Sequence, residues 1–411
     1  MSQPLRFVLI WCAALLVVLA LVAGLNLAVD PYDVFGSPRH AGFNLIKPGA
    51  KNHTALAKTY QVERYHPATV ILGTSRAYIG LNADSPAWPA AMRPVYNSAI
   101  PGYQVTANVY RTLQEVQATG QLKHALIVLD FQGFLLPDPV LARDDDQRRL
   151  LRLDDGTPNP DRARQTFDDA FLALFTMGAL LDSIDTLLSQ GAGPGSDRVL
   201  NLMPDGTASE ADFANAARAD GMYELFSQKA EQETDRSTAV AATMANWHGP
   251  MPNLATLDQI LRFAQAHGIA VTLALAPSHA NTLEAYWTRG VWPRIEQLKL
   301  ELATLAAKYQ RPGSPPVTFW DFLDYSQYTT EPVPPPGDRR TQTRWFWEPT
   351  HFKKALGEMI LRRMFDPNEP SPSDLGAALT PDTVAAHNAA IRAQRQAYAC
   401  RAAAPPGCGA N

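Results

Sequence analysis

Apolar residues fall along this chain in one long unbroken run, several short runs, and stretches with helical spacing. The long run comes first. Residues Phe7 to Val29 are apolar except for Asn26 and carry no charge. A membrane span needs about 20 such residues, so the run predicts a spanning helix. Arg6 precedes it, while Asp30 and Asp33 follow. The positive-inside rule then puts the N-terminus in the cytoplasm and everything after Asp30 outside. A cleaved signal peptide is the alternative. Its apolar region is usually only about 7–15 residues, and Val22-Ala23-Gly24 is a poor cleavage site. We therefore read residues 1–29 as an uncleaved signal anchor.

The short runs predict strands. Val70, Ile71 and Leu72 read as a buried central strand, because two of the three are β-branched and no polar residue alternates with them. Ala125 to Asp130 is again a continuous apolar run, and Pro94 to Asn97, Ala270 to Pro277 and Val317 to Asp321 read as further strands. Helical spacing covers Thr54 to Arg64, Val105 to about Thr119, Leu254 to His267, Val291 to Tyr309 and His351 to about Phe365. Gly120 and Gly268 stand where a C-cap glycine would. The alternation predicts a mostly parallel sheet with right-handed crossovers. It breaks from Pro137 to about Pro252. There Phe167 to Leu188 is helical in spacing, Asp144 to Arg149 is a charge cluster, and Gly191 to Gly195 is a loop. We expect a mostly helical insertion over the sheet's carboxyl edge, acting as a lid or a partner surface. The tail from Asp366 reads as peripheral, with Thr380 to Tyr398 as a further surface helix.

Composition changes this picture little. The chain has 411 residues, with 36 basic against 40 acidic. That balance gives no electrostatic reason to expect nucleic acid. Of the three cysteines, Cys12 lies in the apolar run. Cys400 and Cys408 would either close a small disulfide loop or remain two thiols on the tail. No metal-ligand spacing of Cys and His is present, and the sequence calls for no cofactor.

The candidate chemistry lies at two distant points. Ser75 follows the first strand directly, at the carboxyl end where open α/β sheets place their reacting groups. Serine is also a common helix cap. Far downstream, Arg344-Trp-Phe-Trp-Glu-Pro-Thr-His-Phe352 follows the last strand and places Glu348 three residues before His351. A serine hydroxyl needs a base within hydrogen-bond reach, and that base needs an orienting partner. His351 and Glu348 fit those roles. The same quartet also suits a helix start, where an acid is favoured in the first turn. A metal site built on Glu348 and His351 would need a third ligand, for which His279 is a weak candidate.

Gly73-Thr-Ser75-Arg, Asn97 through Gly102, and Glu348-x-x-His351 together resemble the block pattern of the SGNH/GDSL hydrolase superfamily. The pattern is most similar to membrane-anchored, extracytoplasmic SGNH-like proteins of bacterial cell-envelope acyl transfer, and covers roughly residues 30–365. The resemblance implies a flavodoxin-like three-layer α/β/α fold. It implies Ser75 as nucleophile, His351 as base and Glu348 as acid, where Asp is usual. It implies an oxyanion hole from the Ser75 backbone N–H, Gly102 and an amide side chain. The family's asparagine has no clean match. Gln132 in Asp130-Phe-Gln-Gly133 is one substitute and Asn97 another. Arg76 would bind an anionic substrate group or form a salt bridge. Trp347 would stack on a sugar ring or pack under its loop. The implied setting is the bacterial inner membrane, crossed once, with the C-terminal domain in the periplasm. The implied substrate is an acyl ester or glycan, with envelope assembly proteins as further partners. A decayed, non-catalytic scaffold is the other reading.

Overall fold

The computed structural model of the chain describes residues 3–102, 107–136, 147–153, 155–193, 195–366 and 374–403. Contacts divide the chain into two compact units. One comprises Met1–Tyr65 with Ala142–Asp212, the other His66–Leu141 with Phe213–Asn411. The first unit takes in residues 30–65, and the main sheet lies in the second. Within the first unit the helices over Arg162–Phe175 and Met177–Leu188 pack on the N-terminal helix.

The second unit is mixed α/β. Its strands are β1 (Thr69–Leu72), β2 (Val95–Asn97), β3 (His124–Leu129), β4 (Ala270–Leu275) and β5 (Val317–Asp321). They lie in the order β2-β1-β3-β4-β5 and run parallel. Strand β1 is interior, with Val70 opposite Tyr96 on one side and Ala125 on the other. Val70, Ile71 and Leu72 are fully buried, as the unalternated apolar run requires when helices cover both faces. Two short strands, β6 (Phe346–Glu348) and β7 (His351–Phe352), form a separate antiparallel ribbon. A sixth strand of the main sheet, β8 (Ala377–Ala378), pairs antiparallel with β5.

Two expectations are corrected here. His351 does not open the closing helix. It belongs to β7, and that helix begins at Lys354. The aromatic residues on both arms favour strand pairing, and Lys353 N–H donates to Trp345 O at 2.7 Å to close the ribbon. The tail is not peripheral, since β8 extends the sheet and a helix over Val384–Ala403 buries Ile391. His387 of that helix reaches Asp321 Oδ2 at 2.8 Å, the same carboxylate that holds buried Lys299 at 2.7 Å. A helix over Ala280–Thr288 was not anticipated. The predicted helix from Val105 is described from Ala107 to Ala118. The charge cluster at 144–146, residues 105 and 106, and Cys408 with its pairing to Cys400 lie outside the described residues.

The first unit starts with a helix over Gln3–Val29, long and apolar enough to cross a membrane. Its C-terminal carbonyls are capped by a buried ammonium. Lys47 Nζ donates to Val29 O at 2.9 Å and Asp30 O at 2.6 Å, where positive charge suits the helix dipole. Burial pushes the Lys47 pKa down to about 8 against the pull of Asp30 and Asp33. Asp30 itself adopts φ +49, and its carboxylate accepts the N–H groups of Val34, Phe35 and Ser37. The helical stretch at 167–188 is two helices, Arg162–Phe175 and Met177–Leu188. Extended Thr176 separates them and caps the second, its hydroxyl accepting from Ala179 N–H at 3.2 Å.

Candidate active site

The site is assembled at the carboxyl ends of β1, β3 and β4. The chain leaves β1 through Gly73, whose φ is +148. A Cβ there would meet Val128 O at 2.9 Å and Ala77 Cβ at 3.0 Å. Glycine is thus required for the tight exit that starts a short helix at Ser75. That helix packs closely against the ribbon. A Cβ on Gly80 would lie 2.1 Å from the Phe352 ring, and one on Gly357 would lie 1.8 Å from Gly80 O. These two glycines let the residue beside His351 press onto the helix that carries Ser75.

The result is a continuous relay. His351 Nε2 lies 2.7 Å from Ser75 Oγ. His351 Nδ1 makes a short contact with Glu348 Oε1 on its other side. With Nδ1–H facing the carboxylate, Nε2 is left to accept the serine proton. Thr350, which the sequence did not single out, holds the acid. Its hydroxyl donates to Glu348 Oε1 at 2.8 Å and its N–H to Oε2 at 3.2 Å. Burial alone would push the Glu348 carboxyl up. The hydrogen bond and charge of His351, with Lys229 and Thr350, outweigh it and hold the carboxyl below its ordinary value. Ser75 and His351 are half-buried, whereas Glu348 is buried.

The turn between the ribbon strands is clamped from β4. His279 N–H donates to Pro349 O at 2.9 Å, and the Thr282 hydroxyl to the same oxygen at 3.2 Å. The His279 ring is fixed at both nitrogens, Nδ1 accepting from Asn281 N–H at 3.2 Å and Nε2 facing Glu331 O at 2.9 Å. His279 is therefore no third metal ligand. It is a buried clamp that places the Glu348–His351 turn. Burial pushes its pKa down to about 4, against its bonds to Glu331 and Asn281 and the charge of Glu348.

The other sequence candidates separate. Arg76 is buried, with Nε 3.0 Å from Asp130 Oδ1 and Nη1 2.7 Å from Ser278 Oγ. It ties together the ends of β1, β3 and β4 and is not presented to an anionic substrate. Trp347 is also buried. Lys353 Nζ lies 4.0 Å from its ring centroid and Phe213 stacks on it at 6.3 Å. Its faces are thus covered, which argues against sugar stacking. Phe213 also lies 5.0 Å from the His351 ring. The Asn97 amide nitrogen donates to Ala77 O and Leu81 O, both at 3.0 Å, and is turned to the backbone. The Gln132 amide donates to Glu233 and accepts from Arg236 at 2.8 Å, both on the helix over Met222–Ala245. Gly102 lies in an exposed turn at φ +75, with nothing within 4 Å of a Cβ built on it.

No family model matches the chain, and no curated relative matches it at significant similarity.

Proposed function

We propose that this is a membrane-anchored, SGNH-like serine esterase or O-acyltransferase working on an acyl ester of an envelope glycan or related cell-surface component. One observation carries the reading: the 2.7 Å contact of Ser75 Oγ with His351 Nε2, with Glu348 on the opposite ring nitrogen. Ser75 Oγ attacks the acyl carbonyl while its proton passes to Nε2. The imidazolium, held by Glu348, returns that proton to the leaving alkoxide as the acyl–oxygen bond breaks. Water or a sugar hydroxyl then takes the acyl group from Ser75 by the reverse sequence. The Ser75 N–H, in the first turn of its helix and without an intrahelical acceptor, is the first oxyanion donor. The strand order β2-β1-β3-β4-β5 supports a flavodoxin-like arrangement, whose crevice falls between β1 and β3. The N-terminal helix would hold the enzyme in the bacterial inner membrane with the rest in the periplasm.

The second reading, a catalytically silent scaffold in envelope assembly, is favoured by the engaged amides of Asn97 and Gln132. One missing oxyanion donor can lower the rate about 100- to 1,000-fold. Labelling of the detergent-solubilised full chain by a serine-reactive fluorophosphonate separates the two. We expect labelling that disappears in both Ser75→Ala and His351→Ala. Folded wild-type protein that stays unlabelled would assign the chain to the scaffold class.

A further inference from the structure

Helices Arg162–Phe175 and Met177–Leu188 are built inside out. The residues they turn into their own unit are small or polar: Gln165, Asp169, Ala173, Ala179, Ser183 and Thr186. Beside Arg164, Thr166, Asp168 and Asp185, the helices expose a set of large apolar residues. Phe167 is 69% exposed, Phe171 53%, Met177 69%, Leu181 59% and Leu188 79%. A helix facing water shows the opposite arrangement. The outward residues recur at intervals of three and four, so each helix carries a continuous apolar stripe.

The stripe is fixed to the candidate span. Asn26, the one polar residue in the apolar run, is fully buried. Its amide donates to Leu174 O at 2.9 Å, and its oxygen accepts from Ser183 Oγ at 2.8 Å. Leu174 and Ser183 lie on either side of the 60° bend between the helices. Asn26 precedes the end of the run at Val29 by less than one turn, roughly 5 Å. The bend is thus held at the level where an anchored chain leaves the hydrocarbon. The helices have 14 and 12 residues, too few for either to cross a core of about 30 Å. The nearest exposed charges, Asp168 and Asp185, stand about two turns from the bend. Apolar side chains alone are exposed close to it on the stripe.

We propose that this bent pair seats in the interfacial zone of the bilayer crossed by the N-terminal helix, its stripe facing the acyl chains. The unit then holds the membrane by one span and one non-spanning contact. Lipid is the occupant because Asn26 ties both helices to the span less than one turn before its apolar run ends at Val29. The proposal rests on the reading of Gln3–Val29 as that span.

The test uses the full chain with Cys12, Cys400 and Cys408 changed to Ser. A single fluorescent label is placed at Phe171→Cys or Leu181→Cys, with Leu16→Cys in the span and Asp235→Cys in the sheet unit for comparison. The protein is reconstituted in phosphatidylcholine–phosphatidylglycerol vesicles. Quenching is read with lipid carrying a doxyl group near the headgroup end or deep in the chain, and with aqueous iodide. Labels at 171 and 181 should lose most of their fluorescence to the shallow doxyl lipid and resist iodide. The label at 16 should respond to the deep doxyl lipid and that at 235 to iodide alone. Labels at 171 and 181 that follow 235 while 16 stays lipid-quenched would overturn the proposal. Shielding from both quenchers would mean a protein covers the stripe, which also overturns it. A label at 16 untouched by lipid would remove the span itself, and this proposal with it.

Discussion

Both units bury charge, but they close it differently. In the N-terminal unit Asp169 is saturated. It accepts from Tyr60 at 2.8 Å, Gln165 at 2.9 Å and Arg149 at 2.7 and 2.9 Å. In the sheet unit the chain of polar contacts runs from buried Thr350 and Glu348 to His351 and stops at the half-buried hydroxyl of Ser75. Burial of charge is therefore common to structure and chemistry in this molecule. What marks the candidate site is a chain of partners that ends at a group with a valence open toward solvent. The surfaces differ in the same way. The sheet unit keeps its apolar runs inside, while the helices at 162–188 turn theirs outward.

The largest effect should come from opening a closed charge beside the site. Arg76→Leu would leave the Asp130 carboxylate with the Thr74 hydroxyl as its remaining side-chain partner among the described residues. Breaking a buried pair on one side typically costs about 3–5 kcal/mol. Urea unfolding of the detergent-solubilised full chain should show a loss of that order, with Arg76→Lys retaining part of it. A loss below about 1 kcal/mol, the scale of an exposed pair, would mean that Arg76 does not bind the three strand ends together.

The centre of the sheet was legible in the sequence because β1 and β3 are unalternated apolar runs. Val70 to Leu72 and Ala125 to Leu129 need no knowledge of their neighbours to be assigned. Ser75, Glu348 and His351 stood out as candidates because a serine follows β1 and a Glu-x-x-His spacing comes after β5. The ribbon was not, since two- and three-residue strands are defined by their partner and not by a local pattern. His279 carried a visible signal, a histidine just past β4, but its role depends on Pro349 and Glu331, far along the chain. Gly80 and Gly357 looked like ordinary helix residues. Only the approach of Phe352 and of the Gly80 carbonyl gives their small size a reason. Arg76 and Trp347 stayed open between two roles for one cause: a single sequence does not report burial of a large polar or aromatic side chain.

The His279 clamp should make the sheet unit sensitive to acid. Its folded-state pKa of about 4 lies below the ordinary value of 6.5. Above pH 6.5 both folded and unfolded forms are neutral, and the group is without effect. As the pH falls through 6.5 the unfolded chain takes up a proton that the folded ring refuses, so stability falls until about pH 4, where the folded ring protonates too. The total is roughly 3 kcal/mol at 1.36 kcal/mol per pKa unit. Comparing unfolding free energy against pH for wild type and His279→Gln isolates this share. The variant should lack that part of the slope between pH 4 and 6.5. Equal slopes would show that His279 is free to protonate in the folded protein.

The smallest effect sharpens the contrast between surfaces. Leu181 lies 59% exposed on the outward stripe of its helix, while Leu257 in the sheet unit is 1% exposed. Truncating a buried leucine to Ala costs about 2–5 kcal/mol, but a substitution on an exposed surface usually stays within about 0.5 kcal/mol. In detergent, therefore, Leu181→Ser should unfold at almost the wild-type urea concentration, and Leu257→Ala well below it. The two changes should reverse in rank when the reading is protease access near residue 181 in vesicles. There Leu181→Ser weakens only the non-spanning contact, so the protein stays anchored by its helix and the difference shows as increased protease access near residue 181. Leu181→Ser that destabilises the detergent-solubilised chain as strongly as Leu257→Ala would place that side chain inside the folded unit and dissolve the distinction between the two surfaces.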